Sequence, residues 1–139
     1  MAIRSHCLAE HKEIRTLIRG LKDHLDLGAL RGNPQPSIHL LLRLGGLLKQ
    51  HFSMEKDGLY GRLVASSNPL VRATALVAQD DLCGLEPKVM AFIRQWTAAG
   101  RIQDDTEGYV READALFRAI GRRLGQEERD LLPMLAAVS

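Results

Sequence analysis

Residues 44–62 read LGGLLKQHFSMEKDGLYGR, a stretch in which apolar side chains recur every three or four positions. This spacing places one set of side chains on a single face of an α-helix, which we expect to point into a core. The residues on that inner side are Leu44, Leu47, Leu48, His51, Glu55, Leu59 and Arg62. His51 and Glu55 therefore interrupt a leucine-rich face, and buried ionisable groups of this kind need partners.

Three further stretches show the same periodicity, and no stretch keeps the two-residue alternation that is typical of a β-strand. We predict helices over about residues 3–25, 36–64, 69–97 and 105–135. Residues 28–36 hold two glycines and two prolines, which predicts a loop, and Pro87 predicts a distortion of the third helix around residues 83–87. Short connections favour an all-α fold, an antiparallel up-down-up-down four-helix bundle forming one domain over residues 1–139.

The composition is that of a soluble globular protein, with 139 residues, 45% hydrophobic and 26% charged. A net charge of +2 is too small to indicate a nucleic-acid partner, and no apolar run is long enough to predict a membrane span. Cys7 and Cys83 do not form a disulfide framework, which favours a cytoplasmic location. Phosphate-binding loops and nucleophile motifs are absent from the sequence, so nothing in it supports classical nucleophilic catalysis.

Five ionisable residues lie on or beside the inner faces of the four predicted helices, namely His11, His51, Glu55, Asp81 and Glu127. His11 is near the start of the first helix, and Asp81 is about twelve residues into the third. Glu55 and Glu127 are each about nine residues before the end of their helix. In an antiparallel bundle these positions share one level, within about one 5.4 Å turn. Because bundles build metal sites from such a layer, we predict that these five residues bind a metal ion.

Three short motifs follow one another along the chain: 10-EHKEI-14, then 47-LLKQHFSME-55 with Leu59-Tyr60, and finally 127-EERDLLP-133. They resemble the first two helices and the EE-x-x-L-(F/Y)-P ending of the hemerythrin-like (HHE cation-binding) domains. The resemblance covers nearly the whole chain. It implies a four-helix bundle that holds a non-haem di-iron centre for binding or sensing oxygen or related small molecules.

His11, His51, Glu55 and Glu127 match the family's ligand pattern, but two histidine positions differ. The third helix reads 78-AQDDL-82 where the family has a histidine, and Arg123 replaces the histidine four residues before the closing motif. The resemblance then implies a reduced ligand set, with Asp81 as a substitute oxygen ligand. It implies one or two ions, iron first, and oxygen or nitric oxide as a small diatomic ligand. Mixed nitrogen and oxygen ligation suits iron without excluding manganese or zinc.

Two other interpretations stay open. Three carboxylates and Arg123 leave two negative charges, which either one divalent ion or protonation of both histidines can balance. In the metal-free interpretation, an inward-pointing Arg123 contacts Glu127 or Asp81 and closes the site, and the bundle acts as a regulatory or protein-interaction module. In the other, less favoured interpretation, a carboxylate-rich centre supports a peroxidase or oxidase. Tyr60, just beyond Glu55, is interpreted as core packing.

Overall fold

The computed structural model describes residues 2–138, and all the regular secondary structure in that range is helical. The α-helices are α1 (Ala2–Asp23), α2 (Leu27–Gly32), α3 (Gln35–Glu55), α4 (Gly61–Val64), α5 (Pro69–Trp96), α6 (Arg101–Asp104) and α7 (Thr106–Gln126). Two π-helical segments, Lys56–Tyr60 and Glu127–Leu131, continue α3 and α7, and a 3₁₀-helix over Leu132–Ala137 follows. The prediction of an all-α fold is confirmed.

Side-chain caps begin three of these helices. The carboxylate of Asp26 accepts a hydrogen bond from the backbone N–H of Ala29 and starts α2, in a region predicted as loop. Asn68 caps α5 and Asp105 caps α7. Helix α2 was missed because a six-residue helix is too short to show a hydrophobic period.

Helix α5 runs without interruption from Pro69 to Trp96, although Pro87 lies inside it. The helix is therefore not broken at residues 83–87, while a kink there stays a prediction. Pro87 removes the hydrogen-bond donor that the carbonyl of Cys83 would otherwise use. Because Pro87 and Cys83 both lie on the exposed surface, water can hydrate that carbonyl and the helix continues.

The four long helices pack in a cyclic order, with α1 against α3, α3 against α5, α5 against α7, and α7 against α1. Their inner faces form one hydrophobic core cluster. Within it, the ring of Phe92 on α5 packs against the rings of Trp96, Tyr109 and Phe117, which joins α5 to α7. This arrangement is a helical bundle, while the alternating helix direction and the single-domain assignment stay predictions.

Close packing of α3 on α5 depends on a glycine. A Cβ atom added at Gly45 would lie 3.1 Å from Cδ1 of Ile93 on α5, so the absence of a side chain lets the two helices approach. Among the described residues, no helix is both long enough and apolar enough to cross a membrane.

Candidate metal centre

Four of the five predicted ligands converge inside the bundle. His11 comes from α1, His51 and Glu55 from α3, and Glu127 from the second π-helical segment, and all four are fully buried. One ligand atom from each lies within 4.8 Å of the corresponding atom of every other. The group can therefore surround a single ion.

The nitrogen and oxygen atoms of this group face one another across a small volume. Nε2 of His11 is 3.0 Å from Oε1 of Glu127 and 3.8 Å from Oε2 of Glu55. Nε2 of His51 is 3.1 Å from Oε2 of Glu55 and 4.0 Å from Oε1 of Glu127. The two imidazole rings meet edge to face, with centroids 4.9 Å apart.

The second ring nitrogen of each histidine, Nδ1, donates a hydrogen bond to a carboxylate outside the group. Nδ1 of His51 donates to Oε1 of Glu10 at 2.7 Å, and Nδ1 of His11 donates to Oε2 of Glu128 at 2.7 Å. Arg15 in turn donates two hydrogen bonds to Glu128, at 2.6 and 3.0 Å. Histidines that bind metals commonly donate their second ring nitrogen to a carboxylate in this way, which directs Nε2 toward the ion.

Both carboxylates of the group lie where an α-helix changes into a π-helix. Glu55 ends α3 and Glu127 begins the second π-helical segment. Gly61 makes the first of these turns possible, because its N–H donates to the carbonyl of Lys56 and a Cβ there would lie 2.9 Å from that oxygen. Single π-helical turns occur preferentially at functional sites.

The first π-helical turn places Tyr60 in the core, where its hydroxyl donates a 2.5 Å hydrogen bond to Oε2 of Glu127. Glu127 is thus bound through both oxygens, by His11 at Oε1 and by Tyr60 at Oε2. The interpretation of Tyr60 as packing alone was incomplete, because the inserted residue of a π-turn shifts the helical register that the periodicity assumes.

Several polar atoms at the centre of the group have no hydrogen-bond partner within the described part of the chain. They are both oxygens of Glu55 and Nε2 of His51. The 3.1 Å approach of His51 to Glu55 has an ion-pair distance but not a hydrogen-bond geometry. Unsatisfied buried polar atoms are costly and rare, so a cluster of them indicates a missing ligand.

The neighbouring charges alter the basicity of both histidines. Burial lowers the pKa of His11, but the carboxylates of Glu127, Glu55 and Glu128 outweigh it and raise that pKa to about 9. Burial likewise lowers the pKa of His51, while the carboxylates of Glu127, Glu55 and Glu10 raise it to about 10. Without a metal ion, both imidazoles are therefore protonated near neutral pH and act as the cations of the cluster.

The pKa values of the two central carboxylates are shifted in opposite directions. Burial raises the pKa of Glu55, and the adjacent histidines only partly offset this effect. Burial also favours a raised pKa for Glu127, but interactions with His11, His51 and Tyr60 outweigh this effect and hold that pKa below its usual range. Burial, together with the charges of Glu55 and Glu127, raises the pKa of the Cys7 thiol to about 12, so Cys7 is a neutral neighbour of the site.

Asp81 does not join the group. Its side chain is exposed, and the buried position on that turn of α5 belongs to the adjacent Leu82. Asp81 borders the apolar stripe in sequence, but one residue is a rotation of about 100° around a helix, which is enough to turn it to solvent. The geometry therefore leaves Asp81 outside the group of candidate ligands.

Arg123 points inward, but it does not contact Glu127 or Asp81 as predicted. Its guanidinium donates to the backbone carbonyl of Ala78 on α5 and, at 3.3 Å, to Oε1 of Gln126. The guanidinium carbon also lies 5.9 Å from the centroid of the Tyr60 ring. Sequence patterns contain no signal for a backbone acceptor, which is why its partners were not predicted.

Sequence reasoning missed Glu10 and Glu128 as well as the hydroxyl of Tyr60. Glu10 precedes His11 and Glu128 follows Glu127, so periodicity placed both beside the inner face. Their long side chains nevertheless reach the histidines. A usable signal was present, because a buried histidine that binds metal needs an acceptor for its second nitrogen, and acidic residues lie next to the ligands.

A protein-family model described as Hemerythrin HHE cation binding domain matches residues 3–135. Comparisons with curated proteins and with solved structures found no significant match. The matched region covers nearly the whole chain and includes all four converging residues. This chain belongs to the hemerythrin HHE cation-binding family.

Proposed function

We propose that this protein binds a divalent metal ion, iron foremost, through His11, His51, Glu55 and Glu127. In this proposal the bound ion serves to bind or sense oxygen, nitric oxide or the metal itself. Family membership supports the cation-binding part of the proposal. The choices of iron and of a diatomic ligand go beyond what family membership supports. They rest on the ligand types, since two imidazoles and two carboxylates suit iron.

One observation carries the proposal. Both oxygens of Glu55 and Nε2 of His51 are buried without hydrogen-bond partners among the described residues, and they belong to the four-residue group. A divalent ion at the centre of the group would give Nε2 of His51 and the Glu55 carboxylate a partner, whereas their direct approach at 3.1 Å lacks the geometry of a hydrogen bond. The residues present therefore fit a single metal cation.

The protein's own residues prepare the site for the ion. Glu10 and Glu128 accept hydrogen bonds from Nδ1 of His51 and His11 and so orient the two imidazoles. The closed bundle keeps bulk water away from the ligands. When bound, iron supplies a redox-active Lewis acid with affinity for small diatomic molecules. Buried apolar side chains on the same helix as His51, such as Leu48 and Phe52, whose ring centroid lies 6.1 Å from that of the imidazole, give the site an apolar side.

Metal analysis of protein purified without a His-tag tests the proposal. The metal content should be stoichiometric after gel filtration, lost in His51→Gln and unchanged in His39→Gln, since His39 is an exposed histidine on the same helix. Optical spectra of the Fe(II)-loaded protein before and after addition of nitric oxide or oxygen then test the sensing role. Equal metal content in the two variants, or none in wild type after anaerobic Fe(II) loading, would contradict the proposal.

The metal-free interpretation predicts that the wild-type protein binds no metal after anaerobic Fe(II) loading. It draws support from the raised pKa values of His11 and His51, about 9 and about 10, which let two imidazolium groups balance the carboxylates. Under that interpretation the bundle is a regulatory or protein-interaction module. The absence of metal from wild type, together with normal helicity and unfolding, would favour it.

A further inference from the structure

We infer that the centre holds one ion and not two, because the Arg123–Tyr60 pair takes the place of a second ion. The inference rests on the proposed function, since it concerns how many ions the same site accepts. It assigns a role to two residues outside the four-residue group and predicts a mononuclear centre, unlike the di-iron centre that the family resemblance implies.

The position of Arg123 is the first observation. It lies on α7 one turn before Glu127, and only 5% of its surface is exposed. Hydrogen bonds to the carbonyl of Ala78 and to Gln126 fix the guanidinium between α5 and α7. The aromatic face of Tyr60 covers it at 5.9 Å. A guanidinium stays protonated at any accessible pH, so this part of the core carries a permanent positive charge that repels a second cation.

The hydroxyl of Tyr60 is the second observation. It donates to Oε2 of Glu127, the oxygen that faces away from His11. A carboxylate that bridges two ions commonly places one oxygen on each of them. The hydroxyl of Tyr60 already occupies one lone pair of Oε2 and its ring lies beside the Arg123 guanidinium, so a second ion at Oε2 would compete with this pair.

The third observation is that the described part of the chain offers no second group of His, Cys, Asp and Glu side chains able to hold a metal beside the pair. The buried position of α5 that contacts Arg123 is Ala78, which has no ligand atom, and Asp81 is exposed. Among the described residues, the group able to hold a metal consists of the four already named. A second ion would thus meet a guanidinium and a phenol hydrogen rather than ligands.

The charge balance agrees with one ion. Four carboxylates contact the two histidines, and Arg15 and Arg123 supply two positive charges close to them. With the histidines neutral, as metal ligation requires, two negative charges remain. One divalent ion neutralises them, whereas a second would leave two uncompensated positive charges in the core.

The experiment measures bound iron per chain after anaerobic loading of metal-free protein with excess Fe(II), followed by gel filtration. Parallel loading with Co(II) adds a magnetic readout, because two adjacent ions couple and one does not. The test variant is the double substitution Ala78→His with Arg123→His, which places nitrogen ligands on α5 and α7. The matched control is Arg122→His, which adds a histidine at the exposed neighbouring position. Circular dichroism verifies that each variant is folded.

We expect one ion per chain in wild type and in Arg122→His, and up to a twofold higher stoichiometry with magnetic coupling in the double variant. Two ions in wild type would overturn the inference but leave the proposed function intact. No ion in wild type would overturn the proposed function itself. A folded double variant that still binds one ion would show that Arg123 and Ala78 do not limit the site, and would also overturn the inference. If the double variant does not fold, the wild-type stoichiometry still decides between one ion and two.

Discussion

Nδ1 of His51 lies 2.7 Å from Oε1 of Glu10, so a carboxylate on α1 orients an imidazole on α3. An ionised carboxylate only accepts hydrogen bonds, which means that Nδ1 carries the hydrogen. A neutral His51 then has its lone pair on Nε2, directed toward Glu55. His11 has the same arrangement through Glu128, so both rings are held in the tautomer that metal ligation at Nε2 requires.

Substitution Glu10→Gln should weaken metal binding while leaving all four ligands in place. It removes the negative charge that makes Nε2 of His51 a stronger metal ligand. Changes to the hydrogen-bond partner of a ligand typically lower metal affinity about 10- to 100-fold. Competition with a chromophoric chelator measures the affinity. Glu13→Gln is the control, since Glu13 is exposed on the same helix. Equal affinities for the two variants would show that Glu10 does not orient His51.

Substitution Tyr60→Phe should destabilise the metal-free protein, because it leaves Oε2 of the buried Glu127 without a partner. The expected loss is about 1–3 kcal/mol in the free energy of unfolding. Tyr109→Phe is a matched control: Tyr109 is equally buried, and its hydroxyl has no hydrogen-bond partner among the described residues, although Ser37 lies near enough to influence its pKa. Urea unfolding with added chelator measures both, and a larger loss for Tyr109→Phe would contradict the assigned role of Tyr60.

Much of the site could be predicted from sequence, because His11, His51, Glu55 and Glu127 lie on apolar stripes whose period fixes their direction. The limits have physical causes. Asp81 lies one position from the apolar stripe. One residue rotates the side chain by about 100° around the helix, so Asp81 faces solvent and not the core. The π-helical turns add a residue to the register and move Tyr60, while Arg123 bonds to a backbone carbonyl that no residue pattern encodes.

Substitution Gly61→Ala should destabilise the protein, since the added Cβ would lie 2.9 Å from the carbonyl oxygen of Lys56. The backbone must shift to relieve that contact, and the shift disturbs the turn that carries Tyr60. Gly46→Ala is the opposite case on an exposed turn of α3, where a Cβ meets open space. That control should gain about 0.5–1 kcal/mol from helix propensity. Thermal unfolding compares the two, and equal shifts of Tm would refute the requirement for glycine at residue 61.

The stability of the metal-free protein should fall as pH rises above neutrality. The pKa values of His11 and His51 are raised in the folded state from 6.5 to about 9 and about 10. The folded state therefore binds more protons than the unfolded state between these values, and stability decreases with pH across that window. The contribution is complete below pH 6.5 and lost once pH has risen through about 9 and then about 10.

Urea unfolding from pH 6 to 10 with added chelator measures this slope. In His51→Gln the slope should be smaller, because one of the two raised pKa values is gone, whereas His39→Gln should match wild type. A wild-type stability that does not change over this range would show that the carboxylates do not hold protons on the two histidines.

Anomalous X-ray diffraction at the iron absorption edge, from crystals of Fe(II)-loaded protein, tests the central claim most directly. It locates the ion without assuming its ligands. The account predicts one anomalous peak per chain, within bonding distance of Nε2 of His11, Nε2 of His51 and an oxygen of each carboxylate, Glu55 and Glu127. A fully loaded crystal with no peak at that position, or with its peak at exposed histidines instead, would contradict the account.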